Sequence, residues 1–394
     1  MKYFGYNPKL EGYPNLFKKK EVRRDVNLIR NKKMKIGMMC LWNVANGPSI
    51  HAELVGRAWV KLRHQLRIFS AQKHPDARPT FQKDEDFVIR HFRVDDVIPV
   101  TRATSFDPFP LLNEEYDVFI AQNVERLPAE RLLEVFPKIK EKALTVQIVH
   151  EGKAPEDPLY YKFDWDIIVC FDQRYKDNLV KSFPAEKIHM IPYPYHPLKL
   201  GDKGEARKKL GLPPDDKIVF SFGFRPEDVV SVLPVLKDVV KEYPFRYVII
   251  ANPRSNLDEL REAKKKYDFV DLQVKPLPLE ELYNFLHASD ALLIHRESSK
   301  KYRAVLSSSV CQVLGSGCPI LFHESNYVEL YEDVIIKYRD FEDMKVKLIN
   351  LFQNKFDLKR IEDFLEDNKA ERIAERFLQL FEELMKIRKE GRRR

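Results

Sequence analysis

Along this chain apolar residues gather in short runs, separated by polar stretches with helical spacing. The first run is Met34-Lys35-Ile36-Gly37-Met38-Met39. A turn at 43–48 follows, and then a helical pattern over 49–62. In it Leu54, Ala58 and Leu62 recur every four residues and would face a sheet, with Ser49 as the expected cap. With a second strand at 66–70, these segments make one βαβ unit. The alternation continues through strands at 116–121 and 144–149 with a helix over 129–141 between them. It then runs through a strand at 166–170, a helix at 172–182 and a strand at 187–191. Short, wholly apolar runs of this kind suit parallel strands buried on both faces.

Pro192-Tyr193-Pro194-Tyr195-His196-Pro197 lacks too many amide donors for a helix or a central strand, so it reads as a stiff connector. A new series starts after Leu212-Pro213-Pro214. It comprises strands at 217–222, 246–250, 270–274, 290–294 and 319–322, and helices at 227–242, 256–267, 279–288 and from about Ser307. After Phe341 the pattern is helical to the end. Two βα series around a Pro-rich hinge predict an α/β protein with two Rossmann-like domains facing across a cleft. The expected divisions are an extension at 1–33, domains at 34–195 and 196–365, and a terminal helix at 366–394. In such sheets ligands bind beyond the carboxyl ends of the strands, which places the site in the cleft.

Composition sharpens this outline. The chain's 394 residues exceed what one ordinary core organises. The apolar runs are strand-sized, so no membrane-spanning helix is expected, and residues 1–10 lack the apolar core of a signal peptide. Cys40, Cys170, Cys311 and Cys318 form no C-x-x-C pair and read as reduced, buried thiols of a cytoplasmic protein. The 32% charged fraction, rich in Lys, Arg and Glu, is of the kind found in heat-adapted proteins. A net charge of +8 favours an anionic partner. Residues 18–35 and Arg392-Arg393-Arg394 carry much of it, as solvated tails, as a contact with an anionic membrane surface on the inner face, or with nucleic acid. No zinc-finger, RRM or helix-turn-helix spacing supports the last, so no nucleic-acid partner is expected.

With 13 glycines there is no G-x-G-x-x-G and no G-x-x-x-x-G-K-[ST], which removes the main support for dehydrogenase and P-loop readings. H-E-x-x-H and G-x-S-x-G are missing as well. The best anion cradle is His295-Arg296-Glu297-Ser298-Ser299-Lys300-Lys301-Tyr302-Arg303, with Ser307-Ser308-Ser309 opening a helix beyond a strand end. Free amides at a helix N-terminus, Ser hydroxyls and nearby cations suit a phosphate.

Gly315-Ser316-Gly317-Cys318-Pro319-Ile320 passes from helix end to strand. The order strand, polar loop, Ser-led helix, G-x-G-x-P, strand resembles the donor half of GT-B glycosyltransferases, specifically the retaining group 1 (family four) enzymes. Asn46-Gly47-Pro48, Arg63-His64-Gln65-Leu66, Val146-Gln147-Ile148-Val149-His150, Arg207-Lys208-Lys209-Leu210-Gly211-Leu212-Pro213, Gly223 with Arg225, and Leu277-Pro278-Leu279-Glu280-Glu281-Leu282 resemble other landmarks of that family in the same order. The likeness spans about 34–350.

The resemblance implies transfer of a sugar from a nucleotide-diphosphate donor to an unknown acceptor, with retention, without a metal and without a cofactor. It implies that the terminal helix returns to the N-terminal domain, and that loops 70–112 and 151–163 choose the acceptor. It assigns catalysis to His150, Arg225 and Lys300. Donor binding falls to Asn46, Gly47, Gly223, Glu297, Lys301, Arg303, Ser307, Ser308, Ser309 and Gln312. The chain also departs from the family. Two glutamates separated by seven residues are expected, and those positions hold Ala304 and Gln312; a Lys after the landmark of Gly223 and Arg225 is replaced by Pro226-Glu227-Asp228. A catalytically degenerate binding protein and a GT-B nucleotide-sugar epimerase therefore remain alternatives.

Overall fold

The computed structural model describes residues 33–391 except 45, 73–82, 95–102, 154, 224–225, 254, 332 and 355. The first sheet is built from β1 (Lys35–Cys40), α1 (Gly47–Lys61), β2 (Gln65–Ala71), β3 (Val88–Val94), β4 (Ala103–Phe106), α2 (Phe109–Asn113), β5 (Val118–Gln122), α3 (Ala129–Lys142), β6 (Leu144–Ile148), β7 (Ile167–Cys170), α4 (Gln173–Leu179) and β8 (Ile188–Met190). Its strand order is β4-β3-β2-β1-β5-β6-β7-β8, parallel except for β4, which runs antiparallel to β3. The second half holds α5 (Lys203–Leu210), β9 (Lys217–Gly223), α6 (Pro226–Val230), α7 (Leu233–Glu242), β10 (Phe245–Ala251), α8 (Asp258–Lys266), β11 (Val270–Val274), α9 (Leu279–Ala288), β12 (Ala291–Ile294), α10 (Ser308–Val313), β13 (Ile320–His323), β14 (Ile336–Tyr338), α11 (Phe341–Gln353), α12 (Lys359–Asn368) and α13 (Ala370–Gly391). Its sheet order is β11-β10-β9-β12-β13-β14, with every pairing parallel.

These are two Rossmann-like domains, and the order in each sheet reverses beside its first strand, β1 or β9. Residues 192–197 belong to neither sheet and carry one isolated bridge, Tyr195 to Lys369. The central strands are apolar on both sides, so Met38, Met39, Phe119, Ile120, Val146 and Ile148 are all buried. Burial of each such side chain contributes about 1.5–3 kcal/mol. All four cysteines are unpaired and buried.

Several helices differ from expectation. The buried face of α1 includes His51, Ala52, Val55, Ala58 and Trp59; of the expected stripe only Ala58 is buried, while Leu54 and Leu62 are half-buried. The helix expected over 227–242 breaks at Ser231-Val232 into α6 and α7. β3, β4, α5 and β14, which the apolar pattern did not reveal, lie at or next to a sheet edge or on the surface. An edge strand needs a continuous apolar run less than a central one does.

The terminal helix α13 returns to α1. Trp59 Nε1 donates to Ala374 O at 3.2 Å, and the Phe377 and Phe381 rings lie 5.8 and 6.1 Å from the Trp59 ring. Arg388 of α13 donates to Lys140 O and Ala143 O at the end of α3. Arg57 of α1 pairs with Glu53 and Glu85, Lys61 with Glu371 and Arg67 of β2 with Glu114, so these three cations are neutralised within the fold. The basic segment 18–35 lies almost wholly outside the described residues. No described helix is long and apolar enough to cross a membrane.

Candidate active site

Two helix N-termini form the floor of the cleft. β1 ends at Cys40, and the chain turns through Asn43, at φ 57°, into α1. Asn46 is extended and caps the helix, its Oδ1 accepting from Ser49 N at 3.0 Å. Ser49, expected as the cap, instead sits in the first turn. Its hydroxyl accepts from Val44 N at 3.1 Å and donates to Glu53 Oε1 at 2.9 Å. Asn43 N donates to the same carboxylate, which Arg57 also holds, so the turn is tied from below.

On the other side β12 leads through residues 295–307 into α10. Ser307 is buried, and its hydroxyl accepts from Val310 N at 3.4 Å. Its side chain caps α10. The amides of Ser308 and Ser309 make no hydrogen bond with any described residue. A Cβ placed on Gly47 would lie 3.3 Å from Ser308 Cβ, so the starts of α1 and α10 abut. Neither helix has an acidic residue in its first turn. Two positive helix ends pointed at one place favour an anion between them.

Asn326 shapes the loop above. Its Oδ1 accepts from Ser299 N at 3.0 Å, and its Nδ2 donates to Ser299 O at 3.2 Å and Tyr302 O at 2.9 Å. Lys300, Lys301 and Arg303 are left exposed, and the Lys301 ammonium lies 5.2 Å from the Tyr302 ring centre. Glu297 is also exposed, with His295 Nε2 3.7 Å from its carboxylate. Burial pushes His295 down to about 4, so that contact is not an ion pair at neutral pH. Gly223 ends β9 at φ 138°, where a side chain would be strained, and open space lies where its Cβ would be. Gln312 lies a turn further along α10, its carbonyl accepting from Tyr283 Oη at 3.0 Å. Arg225 lies outside the described residues.

The opposite wall comes from the first sheet. His150 follows β6, with its ring 4.8 Å from Phe171 and 5.2 Å from His51. Its Nε2 is buried without a hydrogen-bond partner. His51 Nδ1 accepts from Gln122 Nε2 at 2.5 Å, which assigns the proton to His51 Nε2. Burial holds His51 down to about 3 and His150 well below its ordinary value. Both rings are neutral and offer hydrogen bonds, not charge.

The sequence pattern did not single out His51, Gln122, Asn123 or Gln147, yet each is buried with a side-chain polar atom lacking a partner. Gln122, Asn123 and Gln147 lie at the ends of β5 and β6, with His51 of α1 bonded to Gln122, and a polar interior facing a ligand would leave such atoms open. Glu125 was missed too. Burial and the neighbouring Glu151 carboxylate push it up to about 7, against the pull of Lys153, Arg126 and Lys301. Among the described residues no group of three His, Cys, Asp or Glu side chains converges as a metal site would need.

Arg174 of α4 clasps the two domains. It donates to Val305 O at 3.1 Å, Asn326 O at 2.9 Å and Glu329 Oε2 at 2.8 Å, while Asp172 holds its other edge. Beside it Gly152 lies so close to the second domain that a Cβ there would fall 1.5 Å from Ala304 O. His196 N donates to Cys311 O and Lys199 N to Gly315 O, so the connector is bonded along α10 as well.

No protein-family model matches the sequence. Solved structures do match the fold. Sucrose-phosphate synthase from Thermosynechococcus elongatus superposes with a TM-score of 0.64 at 13% identity, over 90% of this chain and 100% of that one. A glycosyltransferase from Rickettsia africae gives 0.62 at 13%, over 90% and 99%. The pneumococcal O-GlcNAc transferase GtfA, solved with UDP and GlcNAc, gives 0.61 at 12%, over 90% and 100%. The chain has the GT-B fold.

Gly152→Ala should lower stability by about 1–3 kcal/mol, the range for overpacking, in urea titrations. Gly204→Ala, where the added methyl meets only Asp202 Oδ1 at 3.3 Å, should cost nothing comparable. Equal effects would mean that the approach to Ala304 is not tight.

His51 predicts a pH dependence. Its folded value lies below its unfolded one, so its contribution is complete above about pH 6.5 and is lost as pH falls towards 3. In that window His51→Gln should flatten the stability slope by up to about 1.4 kcal/mol per pH unit. Parallel curves for the two proteins would contradict a neutral buried His51.

Proposed function

We propose that this protein is a glycosyltransferase that moves a hexosyl group from a nucleotide-diphosphate sugar to a hydroxyl of an acceptor, with retention and without a metal. The observation that carries the proposal is the meeting of the α1 and α10 N-termini at the carboxyl edges of two Rossmann-like sheets. The glycosyltransferases that share the fold, one of them solved with UDP and GlcNAc, support the same reading.

In this reading the diphosphate lies against the Ser308 and Ser309 amides. The bond from the anomeric carbon to the phosphate oxygen breaks, and its electron pair leaves with the diphosphate. Helix amides and cations already aimed at that developing charge lower the barrier more than any other group in the cleft. Lys300, Lys301 and Arg303 on the exposed loop supply cations, and Arg225, two residues beyond β9 in sequence, is assigned with them. The acceptor oxygen bonds to the anomeric carbon on the face the phosphate leaves, and its proton passes to the departing phosphate oxygen. Neutral His150 and His51 line the first-domain side without competing for the anion. Ala304 and Gln312 provide no carboxylate to the sugar, so its hydroxyl contacts come from other groups.

A screen with UDP, GDP, ADP, TDP and CMP by thermal shift identifies the nucleotide, because a ligand of the folded state raises its midpoint. Arg225→Ala should then weaken nucleoside diphosphate binding by about 1.5–3 kcal/mol, the worth of a charge-assisted hydrogen bond, and the bare nucleoside far less. Release of free nucleotide from the matching nucleotide sugar is the expected turnover. Binding without release under any acceptor would reduce the protein to a sugar-nucleotide binder. Equal losses for both ligands would make Arg225 a structural residue.

A further inference from the structure

Arg174 stands in the first turn of α4 in the first domain, yet it bonds both ends of the cation-bearing loop of the second. Its guanidinium has five N–H donors in one plane, and each has a partner. Nε donates to Asp172 Oδ1 at 3.2 Å. One terminal nitrogen is shared between Asp172 Oδ2 at 3.0 Å and Val305 O at 3.1 Å. The other is shared between Asn326 O at 2.9 Å and Glu329 Oε2 at 2.8 Å. With no donor left over, and with a carboxylate on either side, Arg174 is not itself a ligand for a phosphate. Whatever it does for one, it does through the groups it holds.

Those groups are the two anchors of residues 298–305. Val305 lies two positions before Ser307, the cap of α10. Asn326 follows β13 and shapes the other end. Besides its three side-chain bonds to Ser299 and Tyr302, its N–H donates to Ser298 Oγ at 3.2 Å. Ser307 N in turn donates to Tyr327 O at 3.2 Å, so the start of α10 hangs on the same segment. Lys300, Lys301 and Arg303 are exposed within this span, so the course of the loop backbone sets where their side chains begin. We propose that Arg174 and Asn326 are positioning residues for the donor diphosphate. Through them the first domain fixes residues 298–305, and with these the cations and the α10 amides that receive the charge. This rests on the transfer reading for the identity of the anion.

The chemistry of both side chains is specific. A lysine ammonium carries its three donors on one atom and cannot span two carbonyls and two carboxylates as a planar fork does. The Asn326 amide accepts from Ser299 N and donates to two carbonyls; an aspartate would keep the acceptor and lose both donors. The two residues act in series along one path, so removing the second after the first should cost little more. Arg388 offers a contrast. It too bonds the first domain, but its acceptor Ala143 O immediately precedes β6, at the sheet edge opposite the cleft.

The test titrates the full chain by calorimetry with whichever of UDP, GDP, ADP and TDP gives the largest thermal shift, and with the matching nucleoside. Arg174→Ala, Arg174→Lys and Asn326→Asp should each weaken the diphosphate at least tenfold and the nucleoside less than twofold. Arg174→Ala combined with Asn326→Asp should lose no more than about twofold beyond the worse single variant. In these variants diphosphate affinity should also fall less steeply with added salt, because fewer cations are brought to the anion. A purely structural role would lower the unfolding midpoint and leave that slope unchanged. Glu329→Ala and Arg388→Ala, which keep both loop carbonyls bonded, should bind the diphosphate as the unaltered chain does. Unchanged diphosphate affinity in Arg174→Ala, equal losses for diphosphate and nucleoside, or additive losses in the double variant would each overturn the inference. If Arg174→Ala does not fold, Arg174→Lys and Asn326→Asp decide by the same criteria. If no nucleoside diphosphate binds the unaltered chain, the donor reading itself falls, and this inference with it.

Discussion

Two positive helix ends pressed together are an electrostatic conflict unless something negative lies between them. α1 and α10 begin within contact of each other, with no first-turn carboxylate on either. Elsewhere the chain does use that device: α5, α8, α9 and α11 each carry Asp or Glu in the first turn. Each helix end bears roughly half a charge, and the exposed lysines and arginine of residues 300–303 add to it. The arrangement makes sense when a multiply charged anion bridges the two domains.

The remaining architecture keeps those two ends together. Gly152 lets the first domain seat on the Ala304 carbonyl, and Arg174 bonds three groups of the second domain beside it. The connector runs bonded along α10, and α13 returns from the second domain to pack on Trp59 of α1. Each helix of the pair is thus held from behind by a contact that crosses the domain boundary. The polar atoms left open at the ends of β5 and β6 lie within this frame and stay buried because the frame is closed.

The fold was legible because both sheets are built on apolar strands buried on two faces, a pattern that survives without any side-chain detail. The Ser-led start of α10 was legible for a similar reason, since caps are local. Ser49 shows the limit: a good capping residue three positions into the helix was mistaken for the cap, and Asn46, just before the Gly-Pro pair, does that work. The first-domain wall was not legible. Glu125, Tyr160 and His51 come from separate elements, and burial by distant segments is the largest cause of their shifted titration. Arg174 was hidden for the same reason, because its partners lie more than 130 residues away in sequence.

A crystal structure with the preferred nucleoside diphosphate tests the central claim most directly. The account predicts the distal phosphate within hydrogen-bonding distance of the Ser308 and Ser309 amides, on the side that faces Gly47. A diphosphate bound elsewhere, with the space between α1 and α10 unchanged, would contradict it.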